Sequence, residues 1–462
     1  MKAQNDWRHN NMYCVVVGDI INSKQIDPDA LDDINTSIKE TMDYINTTYM
    51  NSILADFGVV RGDAFEGILL THYKLPQIIN EIIKGFYKIQ QTKVRICVVL
   101  GELSSISTDR NEANGPAFYH ATECLTKMKA EKSEHWFQVT INTTSYAQPL
   151  LNGILGLISS TTEGWTDRQR DIIWAVEELS NQQHLVSKKL DISTSVVNKQ
   201  LKAASYNAYR KAWLSIEEFF INLEENDIKE ENNFSAYYGL AQRKNERNEY
   251  QDAYKMLLKA LEITKKESTK NNPQLVLIYN ELAENLIQLE DYENAEFYLT
   301  LSLQAQQDLP KSRLIYATTL NIFGDLYFKK NILTNAKEKY DNALEIAINT
   351  VGKNHYFTNS CYNNLALVLR CEKNYLEAIE YYMKVLEFLS NHSQHDPIRL
   401  ADVNYKIALC YYDSGDIKNA HDNVNAALKI YKSNLPSKHK DIKSANSLIE
   451  KILSKEDNKH GN

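Results

Sequence analysis

The stretch AENLIQLEDYENAEFYLTLS, Ala283 to Ser302, decides the fold of the C-terminal half. A small residue stands at Ala283, another 12 positions on at Ala295, and a third 7 further at Ser302. Leu, Ile and Tyr fill helical spacings on either side of the polar turn LEDYE. The pattern predicts two antiparallel helices, A and B, whose backbones approach closely where side chains are small. The same triplet recurs as Ala241, Ala253, Ala260; Gly324, Ala336, Ala343; Ala366, Ala378, Val385; and Ala408, Ala420, Ala427. Its first members lie 42, 41, 42 and 42 residues apart, which marks a repeat array. The turns RNEYQ, KNILT, EKNYL and SGDIK occupy the matching places, KNILT being apolar at Ile332 and Leu333.

These units resemble the tetratricopeptide (TPR) family, whose usual period is about 34 residues. The longer period implies longer helices or connections. The resemblance implies an α-solenoid over residues 233–457, with five repeats of about 42 residues. HKDIKSANSLIEKIL, from His439, reads as the amphipathic helix that caps its last apolar face. The A-helices of such arrays line a groove that holds a peptide or protein partner. Candidate groove residues are Tyr279, Asn280, Asn321, Asn363, Asn364 and Asn404. An Asn amide can bond an extended backbone, or it can simply satisfy inter-helix contacts. The same surface also suits clamping the chain's own N-terminal half.

The chain has 462 residues and a net charge of -8, so several domains are expected and any nucleic-acid contact must come from a local basic patch. The six cysteines form no CxxC pair and sit among apolar neighbours, the usage of separate, reduced, buried thiols. No signal core or membrane span is evident, and a cytoplasmic location is expected.

Further upstream, MYCVVVGDI (Met12 to Ile20) reads as a buried strand. A helix follows, then two strands in FGVVRGDAFEGILL meeting at Gly62-Asp63, then a helix from Leu75. KVRICVVLGELS is a strand, a helix opens near Pro116, and HWFQVTIN ends the domain. The order βαββαβαβ predicts an α+β sandwich with helices over one face of a mostly antiparallel sheet. Asp19 and Asp63 each end a β-segment, and Glu102 ends a neighbouring one. Paired strand-end aspartates can hold Mg²⁺ against a phosphate chain, though turns and caps use the same residues.

VVVGDIINSK, VVRGDAFEGILL, VRICVVLGELSS and NGPAFYHATECL together resemble the SatD family, over about residues 12 to 215. That resemblance implies the α+β domain followed by a helix-turn-helix. More distantly, the set is similar to the ferredoxin-like palm of nucleotidyl and diguanylate cyclases, in which metal aspartates stand where Asp19 and Asp63 do. Val59 replaces the base-reading lysine of cyclases, and Tyr119 and Glu123 replace their transition-state Asn and Arg. A glutamate there opposes charge developing on a transferring phosphoryl group, so cyclisation is not expected.

Between these halves, Thr166 with Gln169 forms a capping-box pattern. Helices over about 181–190 and 194–206, joined by Asp191-Ile192-Ser193, read as a helix-turn-helix. From Gln182 to Trp213 there are six basic residues and one acid. Lys188, Lys189, Ser193, Thr194, Ser195, Asn198, Lys199, Gln200 and Lys202 are the candidate DNA-binding residues. A single module binds weakly, which favours a homodimer. Glu217 to Glu231 reads as a helix end and solvated linker.

The expected architecture is multidomain, α+β followed by all-α: a SatD-like, cyclase-palm-like domain (1–150), a helix-turn-helix module (160–222) and the solenoid (233–457). The expected function is a DNA-binding regulator whose solenoid takes a peptide or protein as input. The alternatives are an adaptor without DNA contact and a metal- and nucleotide-binding cyclase-like protein with Mg²⁺ at Asp19 and Asp63.

Overall fold

The structure, a computed structural model, describes residues 13–21, 28–61, 64–88, 91–105, 113–130, 137–143, 147–179, 181–228, 234–267, 273–307, 314–391 and 397–460. The N-terminal elements are β1 (Tyr13–Ile20), α1 (Pro28–Thr48), β2 (Ile53–Arg61), β3 (Ala64–Leu69), α2 (Leu75–Lys88), β4 (Val94–Gly101), α3 (Pro116–Ala130) and β5 (Phe137–Asn142). This is the predicted βαββαβαβ order. The sheet runs β2-β3-β1-β4-β5, with β4 and β5 parallel and the other pairs antiparallel.

Helices cover both faces of this sheet rather than one. Val15, Val17, Cys97 and Val99 pack against Ala117, Ala121 and Met128 of α3. On the opposite face, Phe65 meets Phe86 of α2, with ring centroids 5.3 Å apart. The reason lies in β1, which is buried along its whole length. A strand apolar on both sides needs cover on both. Cys97 and Cys124, expected as separate thiols, are paired as a disulfide joining β4 to α3.

The helix α4 (Gln148–Glu163) closes the free edge of β5. Asn152 donates to Ile141 O at 3.1 Å and accepts from Ile141 N at 2.8 Å. Ser159 donates to Phe137 O at 2.7 Å, and Gln148 accepts from Thr143 N at 3.1 Å. An exposed edge strand invites unwanted pairing, and these side chains occupy its hydrogen-bonding groups.

Next come α5 (Asp167–Glu178), α6 (Gln183–Lys189), α7 (Thr194–Ala203) and α8 (Tyr206–Ile228). The repeat helices pair as α9 (Phe234–Glu246) with α10 (Tyr250–Glu267), α11 (Pro273–Gln288) with α12 (Tyr292–Ala305), α13 (Leu314–Lys329) with α14 (Leu333–Val351), α15 (Tyr356–Cys371) with α16 (Tyr375–Asn391), and α17 (Pro397–Ser414) with α18 (Ile417–Asn434). A final helix, α19 (Lys440–His460), lays Ile442, Ala445, Leu448 and Ile452 against α18, as a cap should. Every member of the small-residue triplets is buried.

The turns carry the same period as the triplets. One residue in each A-to-B turn adopts a left-handed backbone: Asn248, Glu290, Asn331, Lys373 and Gly415. In the second pair, Asp291 N bonds Leu286 O at 2.9 Å and Glu290 N bonds Ile287 O at 3.2 Å. This is the Schellman arrangement, which satisfies the last carbonyls of a helix and reverses the chain.

By packing, the chain divides into two compact units: Met1–Gly164 with Asn207–Pro310, and Trp165–Tyr206 with Lys311–Asn462.

Candidate partner-binding and nucleic-acid surfaces

Asp19 is buried at the end of β1 beside two cations. Lys129 Nζ lies 2.8 Å from its carboxylate, and Arg95 Nη1, from the residue opposite on β4, lies 3.7 Å away. Glu102 is not its neighbour. The antiparallel register pairs Tyr13 with Gly101 and Asp19 with Arg95. The two acids therefore sit at opposite ends of the strand pair, about 20 Å apart. Asp63 lies outside the described residues. Among those described, no group of three or more His, Cys, Asp or Glu is placed to hold a metal ion. The described acids thus do not fit a shared Mg²⁺ site. Tyr119 is exposed, and Lys127 holds the exposed Glu123 carboxyl below its ordinary range by hydrogen bond and charge.

The helices α5 to α7 form the expected trihelical module. Thr166 and Gln169 make both bonds of the capping box, at 3.3 and 2.9 Å. Asp191 takes the left-handed turn position, and Ser193 caps α7 by accepting from Val196 N at 3.3 Å. Val197 and Leu201 are buried and pack α7 back. The Trp165 indole donates to Ala204 O at 2.8 Å, tying the end of α7 to the start of α5.

The outer face of α7 is open. Thr194, Ser195, Asn198, Lys199 and Lys202 are exposed, and Gln200 is half-buried. Their environments divide the candidates. Lys189 is held by Glu178 at 2.7 Å, and Lys188 donates to Lys432 O of α18 at 2.6 Å. Ser195 bonds Ser193 at 2.8 Å, and Asn198 bonds Thr194 O at 3.2 Å. Of the candidate lysines, Lys199 and Lys202 have no carboxylate within ion-pair distance among the described residues.

The first two helical pairs spend their A-helices on the sheet. Tyr13, Leu54, Ile68 and Leu70 share one core with Phe234, Tyr238, Leu257 and Ile278. Gln274 donates to the Tyr13 hydroxyl at 2.6 Å, and Ser235 donates to Leu70 O. Glu224 of α8 is fully buried and accepts from His72 N and from Tyr73 N, the latter at 3.2 Å. The acidic run read as solvated linker thus includes an internal anchor, because two backbone N–H groups take its charge. Tyr279 and Asn280 are buried here, Asn280 accepting from Ser302 at 2.8 Å.

In the last three pairs the A-helices keep a polar face. Rungs join them at a 43-residue offset: Asn364 to Asn321 at 3.2 Å, Lys406 to Asn363 at 2.8 Å, and Arg370 to Asp413 at 3.1 Å. Arg399 reaches Ser360 at 3.4 Å. Asp325 accepts from the Tyr340 hydroxyl at 2.6 Å, yet burial still pushes its carboxyl up to about 6. Burial also lowers the Lys406 ammonium. Asn404 bonds Leu400 O of its own helix at 2.9 Å. The charged members, Asp325, Arg370, Arg399 and Lys406, were missed by a search for recurrent asparagines. For Arg370 and Lys406, the 43-residue spacing to Asp413 and Asn363 on a neighbouring A-helix was the available signal; Asp325 and Arg399 pair at 39 residues, with Asn364 and Ser360.

Fold and surfaces together define a multidomain protein-interaction scaffold. Residues 13–218 match the SatD family, and residues 276–309 and 315–391 match tetratricopeptide repeats, so the chain is a SatD-family region fused to a TPR array. Solved structures similar to it include BtubC from P. vanneervenii, 18% identical over 58% of this chain and 92% of that one, with a TM-score of 0.39. The apo form of RapI is 18% identical over 59% of this chain and 72% of that one, with a TM-score of 0.40. No curated protein matches the chain. Among the described residues, no helix is long and apolar enough to cross a membrane.

Proposed function

We propose that the protein is a DNA-binding regulator whose helix-turn-helix is governed by a protein or peptide held on its last three repeats. The observation that carries this reading is the makeup of one compact unit. Trp165–Tyr206, which holds α5 to α7, packs with Lys311–Asn462, which holds those repeats. The seat is α6 on α18, with Lys188 bonded to Lys432 O. α6 is therefore the docked helix, and α7 is left to face a duplex. A partner that shifts the A-helix rungs of α15 and α17 moves α18, the helix paired with α17, and with it the seat of α6. A metal-dependent nucleotidyl reaction has less support, because Lys129 and Arg95 already occupy Asp19.

The test is an electrophoretic shift of the full chain on mixed-sequence duplex DNA across a salt series. Lys199 and Lys202 contribute about -2 to the slope of log K against log salt, or about -4 in a dimer. Lys199→Glu/Lys202→Glu removes the shift. A wild-type chain that shows no salt-dependent shift at low ionic strength leaves the adaptor without DNA contact as the correct reading.

A further inference from the structure

From Phe137 to Thr162 the chain carries no Asp, Glu, Lys, Arg or His, although charged residues make up 24% of the whole. The polar side chains of α4 that point inward, Gln148, Asn152 and Ser159, are committed to the edge of β5. Its outward face from Pro149 to Leu157 is apolar. Leu150 is 68% exposed and Leu157 is 70% exposed. Between them lie the exposed Gly153 and the half-buried Ile154. A Cβ built at Gly153 or Gly156 meets nothing within 4 Å, so another backbone can approach closely here.

We infer that α4 is a self-association surface that packs antiparallel against α4 of a second copy of this chain, about a two-fold axis. Two features choose this occupant. The first is internal symmetry. Leu150, Gly153, Ile154 and Leu157 have spacings of 3, 1 and 3, which read the same in both directions. An antiparallel pair centred between Gly153 and Ile154 sets Leu150 of one copy against Leu157 of the other, and each glycine against an isoleucine. A two-fold interface requires such self-complementarity. The second is charge. Two molecules of net charge -8 repel one another, and this face lets them meet without desolvating an ion. A membrane surface fits less well, because interfacial helices carry flanking Lys or Arg and this one has none.

A single helix pair is a small interface, so the expected dissociation constant is about 10 µM. This inference does not rest on DNA binding, and its test uses no DNA. Sedimentation velocity of the full chain from about 1 to about 100 µM spans that range and should show reversible dimerisation. Leu157→Glu and Leu150→Arg should each leave a monomer at the highest concentration, with unchanged circular dichroism because both sites are exposed. The double variant should regain the dimer, because each introduced arginine then faces an introduced glutamate across the axis. Leu376→Glu, at a 76% exposed leucine on α16, should not alter association. A wild-type monomer throughout, a dimer indifferent to Leu157→Glu, or a double variant that stays monomeric overturns the proposal.

Discussion

Gly324→Ala tests the close crossing that the repeat period implies. In a helix interior, alanine is favoured over glycine by about 1 kcal/mol. Packing opposes that gain. A Cβ at this position would lie 2.4, 2.5 and 2.8 Å from ring atoms of Tyr340. The ring has little room to yield, because Tyr340 is 2% exposed and its hydroxyl is fixed on Asp325 at 2.6 Å. Overpacking of this kind costs about 1–3 kcal/mol, and the shortness of the contacts places it at the upper end. The net expectation is a loss of about 1–2 kcal/mol. Gly153→Ala, measured at about 1 µM chain where the inferred α4 pair is dissociated, is the control, since within one chain its Cβ enters open space and only the propensity gain of about 1 kcal/mol remains. Urea unfolding of the full chain, followed by far-UV circular dichroism, should lower the midpoint for the first and raise it for the second. In a Tyr340→Leu background, Gly324→Ala should lose most of its effect. If Gly324→Ala is neutral or stabilising in the wild type, the close-crossing argument is wrong.

Glu290→Gly should stabilise the second repeat by about 0.5–1 kcal/mol, because its left-handed backbone suits glycine; a lower unfolding midpoint would contradict this. Asp325→Asn tests the buried carboxyl. Its folded pKa of about 6 exceeds the ordinary 3.8, so the folded state holds the proton more tightly and stability falls as pH rises through that window. The shift caps the effect at about 3 kcal/mol. The gap between unfolding midpoints at pH near 4 and near 7 should therefore shrink in the variant, and an unchanged gap refutes the assignment. Glu224→Ala removes the acceptor of two buried N–H groups and should destabilise by about 3 kcal/mol, read as faster limited proteolysis near Tyr73; proteolysis at the wild-type rate would count against the anchor.

The repeats were legible because one constraint, a small residue at each helix crossing, recurs at fixed spacing. The turns obey the same clock, from Asn248 to Gly415. The capping box at Thr166 was equally plain, since both of its bonds are local. What escaped is non-local. The run from Met12 to Ile20 announces a buried strand but not which faces are covered, and α3 took the second face. Glu224 looked like one more acid in a solvated run. Only the fold brings His72 N and Tyr73 N to it. Asp19 and Glu102 both end strands, but antiparallel register sends them to opposite ends.

The same non-local packing explains why the repeats do different work. The A-helices α9 and α11 carry Phe234, Tyr237, Tyr238 and Tyr279, and these rings are buried in the core shared with the sheet. Their surface is committed within the chain. The helices α13, α15 and α17 carry Asn321, Asp325, Asn363, Asn364, Arg399 and Lys406 on the matching face, joined from helix to helix by side-chain hydrogen bonds. Such bonds contribute about 1 kcal/mol each, and a ligand that offers a replacement donor or acceptor exchanges them at little net loss. An extended peptide backbone offers one of each at every residue. On the proposed reading, partner binding falls to the repeats whose rungs can be exchanged, and those share a compact unit with the helix-turn-helix.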